Sequence, residues 1–408
     1  MRRVIAHKAV AAALLASFSF VFAGGLLAGS VVAESADKVY SQPALPVIPG
    51  LIISPSDPLQ KVTARSAVVM DAVSGQILYE RDMNARRFPA STTKIMTLII
   101  ALEKGNLDDI VTISGNAAGT EGSTLWLEKG DKIPLRELLT GMMMHSGNDA
   151  TIAVAEYIAG SVPEFARMMT EKAHEIGAKD TNFINPNGLP NDNHYTTAHD
   201  LAVIASYGYR LPEFESIVSQ QEASYDWVKD PTKKLRNENQ MLWLYRGSNG
   251  VKTGYTEKAG RCLVSAAKRD GMQLVAVVLD SIYMWNDSIA MLDYGFAQAE
   301  PDVLVKGGSV VTKVDVADAR QGKLALEAAD SLVAAHKAGS SVKIEKKIEV
   351  PAEVEAPIKK GDVIGKVVCY SDGEKKGSVD LIAAEDVERH TIWMTVQEWF
   401  QKLTKGIF

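Results

Sequence analysis

Three short clusters in this sequence carry residue types that could break an acyl bond if the fold brought them together. The first is Ser91-Thr92-Thr93-Lys94. A serine hydroxyl is a weak nucleophile and needs a base. Residues three apart share a helix face, so Lys94 can set its amine beside the Ser91 hydroxyl. It can serve as the base only if burial and nearby charge lower its pKa. A helix start here would also turn backbone N–H groups toward the site, where they could hold an oxyanion. The second cluster is Ser146-Gly147-Asn148. Its hydroxyl could pass a proton to a departing amine, and its amide could hold Lys94 and a substrate backbone. The third is Lys252-Thr253-Gly254. An ammonium beside a hydroxyl suits a terminal carboxylate, and the glycine lets a substrate backbone lie against a strand edge. Each cluster also has a plainer reading. Ser-x-x-Lys occurs as surface polarity on many helices, Ser146 and Asn148 could cap a helix, and Lys252 could be a solvated lysine on an ordinary strand.

The surrounding pattern supplies elements to position them. Ser66 to Asp71 and Gln76 to Glu80 read as a hairpin turned by Ala72-Val73-Ser74-Gly75. A helix is expected to start near Ser91 and run through Leu102, apolar almost all round and therefore buried, with Gly105-Asn106 as its stop. Further helical runs span Leu135 to Met144, Asp149 to Ile158, Glu164 to Ile176 and Ser288 to Phe296. Leu263 to Leu279 reads as two strands joined at Asp270-Gly271, a hairpin signal. Strands at both ends with helices between describe an α+β domain. Met142, Met143 and Met144 read as core filling. His145 reads as structural, since Lys94 could already supply a base, and His194 and His199 read as capping or packing the segment they lie in.

Composition bounds the rest. The chain has 408 residues, 46% of them hydrophobic and 23% charged, enough for a core of ordinary size in two units. The net charge of −6 lacks the basic footprint of a nucleic-acid partner. Residues 1–33 read as a signal peptide: Arg2, Arg3 and Lys8 precede an apolar stretch ending in Val31-Val32-Ala33. That stretch could also span a bilayer uncleaved, which takes about 20 residues; Gly24-Gly25 and the small-residue end favour cleavage. Either way the bulk of the chain is expected outside the cytoplasm, at the outer face of the membrane. Residues 34–59 are a Pro-rich linker. Residues 60–300 form the α+β domain, and 301–390, with alternating Val, Ile and Lys and turns at Lys360-Gly361-Asp362 and Ser371-Asp372-Gly373, form a small β domain. The run Glu345, Lys346 and Lys347 reads as a solvated strand edge. Cys262 and Cys369 read as small buried strand residues rather than a disulfide. In 391–408, Ile392, Trp393, Val396, Trp399, Phe400, Leu403 and Ile407 recur at helical spacing with Lys402 and Lys405 between them. This describes an amphipathic helix lying in a membrane interface; a terminal helix docked on its own protein is the alternative.

The three clusters in this order are the signature set of penicillin-binding proteins and serine β-lactamases. The chain resembles the serine D-Ala-D-Ala carboxypeptidases, the low-molecular-mass penicillin-binding proteins, over roughly residues 60 to 300. Pro89-Ala90-Ser91-Thr92-Thr93-Lys94-Ile95-Met96-Thr97 is similar to the family's nucleophile helix, and Ser146-Gly147-Asn148-Asp149-Ala150 to its second motif. Asn185-Pro186-Asn187-Gly188-Leu189 and Tyr195 to Ala202 resemble its connecting segment. Gly250-Val251-Lys252-Thr253-Gly254-Tyr255-Thr256 resembles its third motif, Pro357 to Gly365 its C-terminal β domain, and the tail its membrane anchor. The resemblance implies a β-lactamase/transpeptidase-like domain with an antiparallel sheet. It implies that Ser91 attacks the bond between two terminal D-alanines of a peptidoglycan stem peptide and forms an acyl-enzyme. Lys94 would take the Ser91 proton and Ser146 would pass one to the leaving D-alanine. Asn148, Lys252, Thr253, Gly254 and Tyr255 would hold substrate: Lys252 and Thr253 by its carboxylate, and the N–H groups of Ser91 and Tyr255 as the oxyanion hole. β-Lactams would acylate Ser91, with no metal or cofactor.

The chain departs from the family pattern in three places. Tyr255 stands where some members carry His. Ile282-Tyr283-Met284-Trp285 lacks an Arg found there in many members, which leaves carboxylate binding more dependent on Lys252. Thr196-Thr197 replaces a Ser-Thr pair. Two rival readings share the motifs. A serine β-lactamase would need a carboxylate to hydrolyse the acyl-enzyme, and no loop carboxylate of that kind is legible. A catalytically silent scaffold is disfavoured because every motif residue is intact.

Overall fold

The computed structural model describes residues 54, 56–319, 322–390, 394 and 396. The expected signal peptide, most of the Pro-rich linker and nearly all of the amphipathic tail lie outside these residues. No helix among the described residues is long and apolar enough to cross a membrane.

The first sheet is built from both ends of the α+β domain. Strands β1 (Ser66–Asp71) and β2 (Ile77–Arg81) form the expected hairpin. Later in the chain come β3 (Ser248–Thr256), β4 (Gly260–Arg269) and β5 (Met272–Ser281). The sheet order is β2-β1-β5-β4-β3, antiparallel throughout, so β5 sits in the middle and β3 on an edge. Central β5 is buried along nearly its whole length, which explains its unbroken Leu-Val-Ala-Val-Val-Leu run where an exposed strand would alternate. Asp270 and Gly271 both adopt positive φ between β4 and β5, the conformation a tight hairpin turn demands and Asp-Gly supplies.

The helices lie between the sheet's two halves in sequence. They are α1 (Lys94–Lys104), α2 (Leu135–His145), α3 (Asn148–Ala159), α4 (Val162–Glu175), α5 (Ala198–Gly208) and, after the sheet, α6 (Met284–Gln298). One core joins α1 to α5 with one face of the sheet; α6 covers the other face with Met291 and Leu292. In α1, Ile95, Met96, Leu98, Ile99 and Ile100 are all buried. Each such side chain contributes about 1.5–3 kcal/mol, and together they fix α1, which follows directly on Ser91 to Thr93, at the domain centre. Met142, Met143 and Met144 join this core as expected.

The β domain follows α6 directly. A two-stranded ribbon pairs β6 (Ala299–Val305) with β9 (Leu332–Lys337). The six-stranded sheet holds β7 (Val310–Ala317), β8 (Lys323–Ala328), β10 (Ile344–Glu349), β11 (Glu353–Glu355), β12 (Val363–Ser371) and β13 (Glu374–Ala383). Its order is β10-β12-β13-β8-β7-β11, with only β7 and β11 parallel. The Glu345-Lys346-Lys347 run is on edge strand β10 and exposed. Cys262 on β4 and Cys369 on β12 are buried free thiols. The two domains meet at the β1–β2 turn. Ser74 Oγ donates to Ala335 O at 2.6 Å, and the buried Asp71 carboxylate accepts from the Ala335 N–H at 3.1 Å.

Candidate active site

The site is assembled where α1, the α2–α3 junction and edge strand β3 converge. Ser91 does not lie on an α-helix, as its pattern suggested, but in a 3-10 turn, Ala90–Thr93, that runs straight into α1 at Lys94. In a 3-10 turn residues i and i+3 eclipse, so the tighter winding aims Lys94 at Ser91 more directly than α pitch does. Lys94 Nζ lies 3.0 Å from Ser91 Oγ and donates to Asn148 Oδ1 at 2.8 Å and to Asn187 O at 2.9 Å. All three partners are uncharged and the side chain is 0% exposed. Burial pushes the Lys94 amine well below its ordinary value, and the charge of Lys252 pushes it further; Glu238 and Asp149 oppose. An amine so placed favours the neutral form, the form that can accept a proton.

The connecting segment forms the bed of this turn. Ala90, just before Ser91, holds a positive φ of 48°, a strained conformation for a residue with a Cβ. Gly188 packs against it so closely that a Cβ there would come within 1.8 Å of Ala90 O. His194 Nε2 lies 2.9 Å from Thr93 Oγ1, and its Nδ1 accepts from the Ile184 N–H at 3.0 Å. Burial pushes this imidazole down to about 4, consistent with its structural reading. Thr197, part of the Thr196-Thr197 departure, caps α5 by accepting from the Asp200 N–H at 3.0 Å.

The capping reading of the second cluster does not hold. Ser146 is the left-handed residue that ends α2, with φ +61°, and α3 begins at Asn148 with no side-chain cap. Asn148 is turned inward: its Oδ1 receives Lys94 and its Nδ2 donates to Glu121 O at 2.7 Å. Ser146 Oγ is buried and has no hydrogen-bond partner among the described residues. Its hydroxyl is thus uncommitted, on the wall of the cavity that holds Ser91.

In the third cluster, the plain reading of Lys252 as a solvated lysine also fails. Its side chain is 1% exposed, and Nζ donates to Thr253 Oγ1 at 3.3 Å. Burial pushes this amine down to about 8, against the opposing charge of Glu238. Gly254 is also needed for packing. A Cβ there would meet Ser91 N at 3.0 Å and Pro89 O at 3.1 Å, so the bare backbone lets β3 lie against the nucleophile turn.

A cavity of about 290 Å³ brings together Ser91, Ser146, Thr253, Gly254 and Tyr255. Asn148, Lys94 and Lys252 stand behind its wall. Larger hollows of about 430 and 530 Å³ occur elsewhere, and neither is lined by any residue of the three clusters. Met284 and Trp285 line the catalytic cavity at the position of the missing arginine. Two members were not read from the sequence. Ser123 accepts the Asn148 N–H on its carbonyl at 2.7 Å. Glu238 brings a carboxylate into the cavity. Nothing in its spacing ties it to Ser91 or Ser146; the visible signal is only the polar Asn237-Glu238-Asn239 turn ahead of β3.

The fold is that of the penicillin-binding proteins. The family model for D-alanyl-D-alanine carboxypeptidases matches residues 53–282, and that for the penicillin-binding protein 5 C-terminal domain matches residues 300–389. The chain belongs to the D-alanyl-D-alanine carboxypeptidase family. D-alanyl-D-alanine carboxypeptidase DacF of Bacillus subtilis is 37% identical over 338 residues, 80% of this chain and 86% of that one. DacA of Haemophilus influenzae is 33% identical, covering 85% of this chain and 91% of its own. Among solved structures, penicillin binding protein 5 from Haemophilus influenzae aligns with a TM-score of 0.57 at 32% identity, over 81% of this chain and 98% of that one. A mutant of the Streptomyces K15 DD-transpeptidase aligns with a TM-score of 0.55 at 31% identity, over 58% of this chain and 98% of that one.

Proposed function

We propose that this enzyme removes the terminal D-alanine from peptidoglycan stem peptides through an acyl-enzyme on Ser91. The observation that carries the reading is a desolvated Lys94 amine 3.0 Å from the Ser91 hydroxyl, held by neutral partners. Lys94 takes the Ser91 proton as Oγ attacks the penultimate D-alanine carbonyl. The N–H groups of Ser91 and Tyr255 receive the oxyanion; the approach of β3 to the Ser91 turn at Gly254 supports this pairing. The proton gained by Lys94 passes through the Ser146 hydroxyl to the leaving nitrogen, the C–N bond breaks, and Lys94 and Ser146 are both left neutral. Lys252 and Thr253 hold the substrate's carboxylate, with Asn148 fixing Lys94 and the peptide backbone. Water then attacks the ester and frees Ser91. A β-lactam enters as a substrate mimic and acylates the same hydroxyl.

The expected export signal and interfacial tail put this chemistry at the outer face of the cytoplasmic membrane. Domain limits of 60–300 for catalysis and 301–390 for the β unit fit this arrangement. Two assays test the reading. Release of D-alanine from a peptide ending in D-Ala-D-Ala tests the chemistry. Co-sedimentation with anionic vesicles, full chain against a chain ending at His390, tests the tail; equal binding by both would remove the anchor from the account.

A further inference from the structure

The catalytic cavity has one acidic group among its described lining residues, and no step above uses it. Glu238 sits on a turn whose neighbours are buried and bonded. Asn237 Nδ2 donates to Gln220 O at 2.8 Å, and Asn237 Oδ1 accepts from the Asn239 N–H at 2.9 Å. The Glu238 N–H itself donates to Met144 O at 2.9 Å, two residues before Ser146. With its backbone tied down, the Glu238 side chain reaches into the cavity. One carboxylate oxygen accepts from Thr253 Oγ1 at 3.5 Å, and that hydroxyl lies 3.3 Å from Lys252 Nζ. The other oxygen is 4.0 Å from His145 Nδ1. The chain Lys252, Thr253, Glu238 therefore places an anion at the two groups that receive the substrate's carboxylate.

The charges around it single Glu238 out. It acts on both buried lysines of the site, raising Lys94 and Lys252 alike, whereas Asp149 acts on Lys94. The Asp149 carboxylate is committed elsewhere, to the N–H groups of Leu125 and Leu127 and the Thr124 hydroxyl. The other groups near Glu238 are His145 at the end of α2, Tyr255 across the cavity, and Arg236 on its own segment, which stacks over Trp243.

We propose that Glu238 is a resident counter-anion: in the free enzyme it occupies Thr253 and balances Lys252, and the terminal carboxylate of the substrate displaces it on binding. This rests on the assignment of Lys252 and Thr253 to that carboxylate. Glu238 is then a positioning residue that sets how tightly a free carboxylate is held, through repulsion between two like charges at one hydroxyl. It also biases both lysines toward their charged forms.

The test compares wild type, Glu238→Gln and Glu238→Asp, following D-alanine release from a D-Ala-D-Ala peptide and acylation by a penicillin. At a pH well below 8, where Lys252 stays charged in both enzymes, Glu238→Gln is expected to lower KM and raise the acylation rate constant by about three- to tenfold at low ionic strength. That gap should shrink in roughly 0.5 M salt. Its acid limb should move to lower pH, because Lys94 loses its proton sooner without the neighbouring negative charge. Glu238→Asp keeps the charge and should stay near wild type. Unchanged or higher KM in Glu238→Gln, or Glu238→Asp following Glu238→Gln, overturns the proposal. Wild type that releases no D-alanine overturns the carboxypeptidase reading instead, and the ratio of penicillin acylation rates still decides the role of Glu238.

Discussion

At the residue scale the account turns on two lysines buried in one site. On the proposed mechanism Lys94 works only when neutral, so kcat/KM should rise with pH as its proton is lost. Lys94→Arg puts a permanently charged group there that cannot act as a base; the expected loss of acylation is about 10²–10⁴-fold, read by penicillin labelling. On the same proposal Lys252 works only when charged. Burial pushes its amine down to about 8, so KM for a carboxylate-terminated peptide should climb as pH rises through that value. Lys252→Gln should raise KM by roughly tenfold or more and flatten the alkaline limb; a limb that persists in this variant assigns it to another group. Ser91, Lys94 and Ser146 were legible as residue types at telling intervals, and the structure brings them into one place. Glu238 was not, because its relation to Thr253 exists only after β3 and the α2 end have packed together.

At the element scale the hairpins, the buried helices and the central strand could be read from periodicity, since their apolar patterns follow from burial. The catalytic junctions could not. The 3-10 turn at Ser91 and the left-handed Ser146 both break local preference, and the turn is packed against residues far away in sequence. Gly188 bears on Ala90, and Gly254 bears on the Ser91 N–H. Sequence reading gave Gly254 a role toward substrate alone; the packing adds the nucleophile turn. Gly254→Ala should therefore displace that turn by a few tenths of an ångström. Acylation by penicillin is expected to fall by about tenfold or more, since small misplacements of reacting groups carry large rate penalties. Melting temperature should drop by only a few degrees. A variant with full acylation would show that the turn does not depend on this approach.

At the scale of the whole molecule, the two domains are joined through a buried carboxylate. Asp71 binds the Ala335 N–H and the Ser74 hydroxyl through one oxygen, while the other has no hydrogen-bond partner among the described residues. Burial pushes its pKa up from 3.8 to about 6. Between those values the folded chain keeps a proton that the unfolded chain has released. Its contribution to stability therefore declines as pH rises from about 4 to about 6 and is level above that. Melting curves of wild type and Asp71→Asn across this range should differ in slope by that contribution; parallel curves would contradict it. The composition shift near residue 300 made the β domain visible beforehand, whereas this junction, built from a turn and a strand more than 250 residues apart, left no trace in the pattern.

The most direct measurement is D-alanine release from a stem peptide ending in D-Ala-D-Ala, with wild type and Ser91→Ala side by side. The account predicts release and penicillin labelling by the wild type and neither by the variant. A folded wild type that binds penicillin covalently but frees no D-alanine, or a Ser91→Ala enzyme that still frees it, would contradict the central claim.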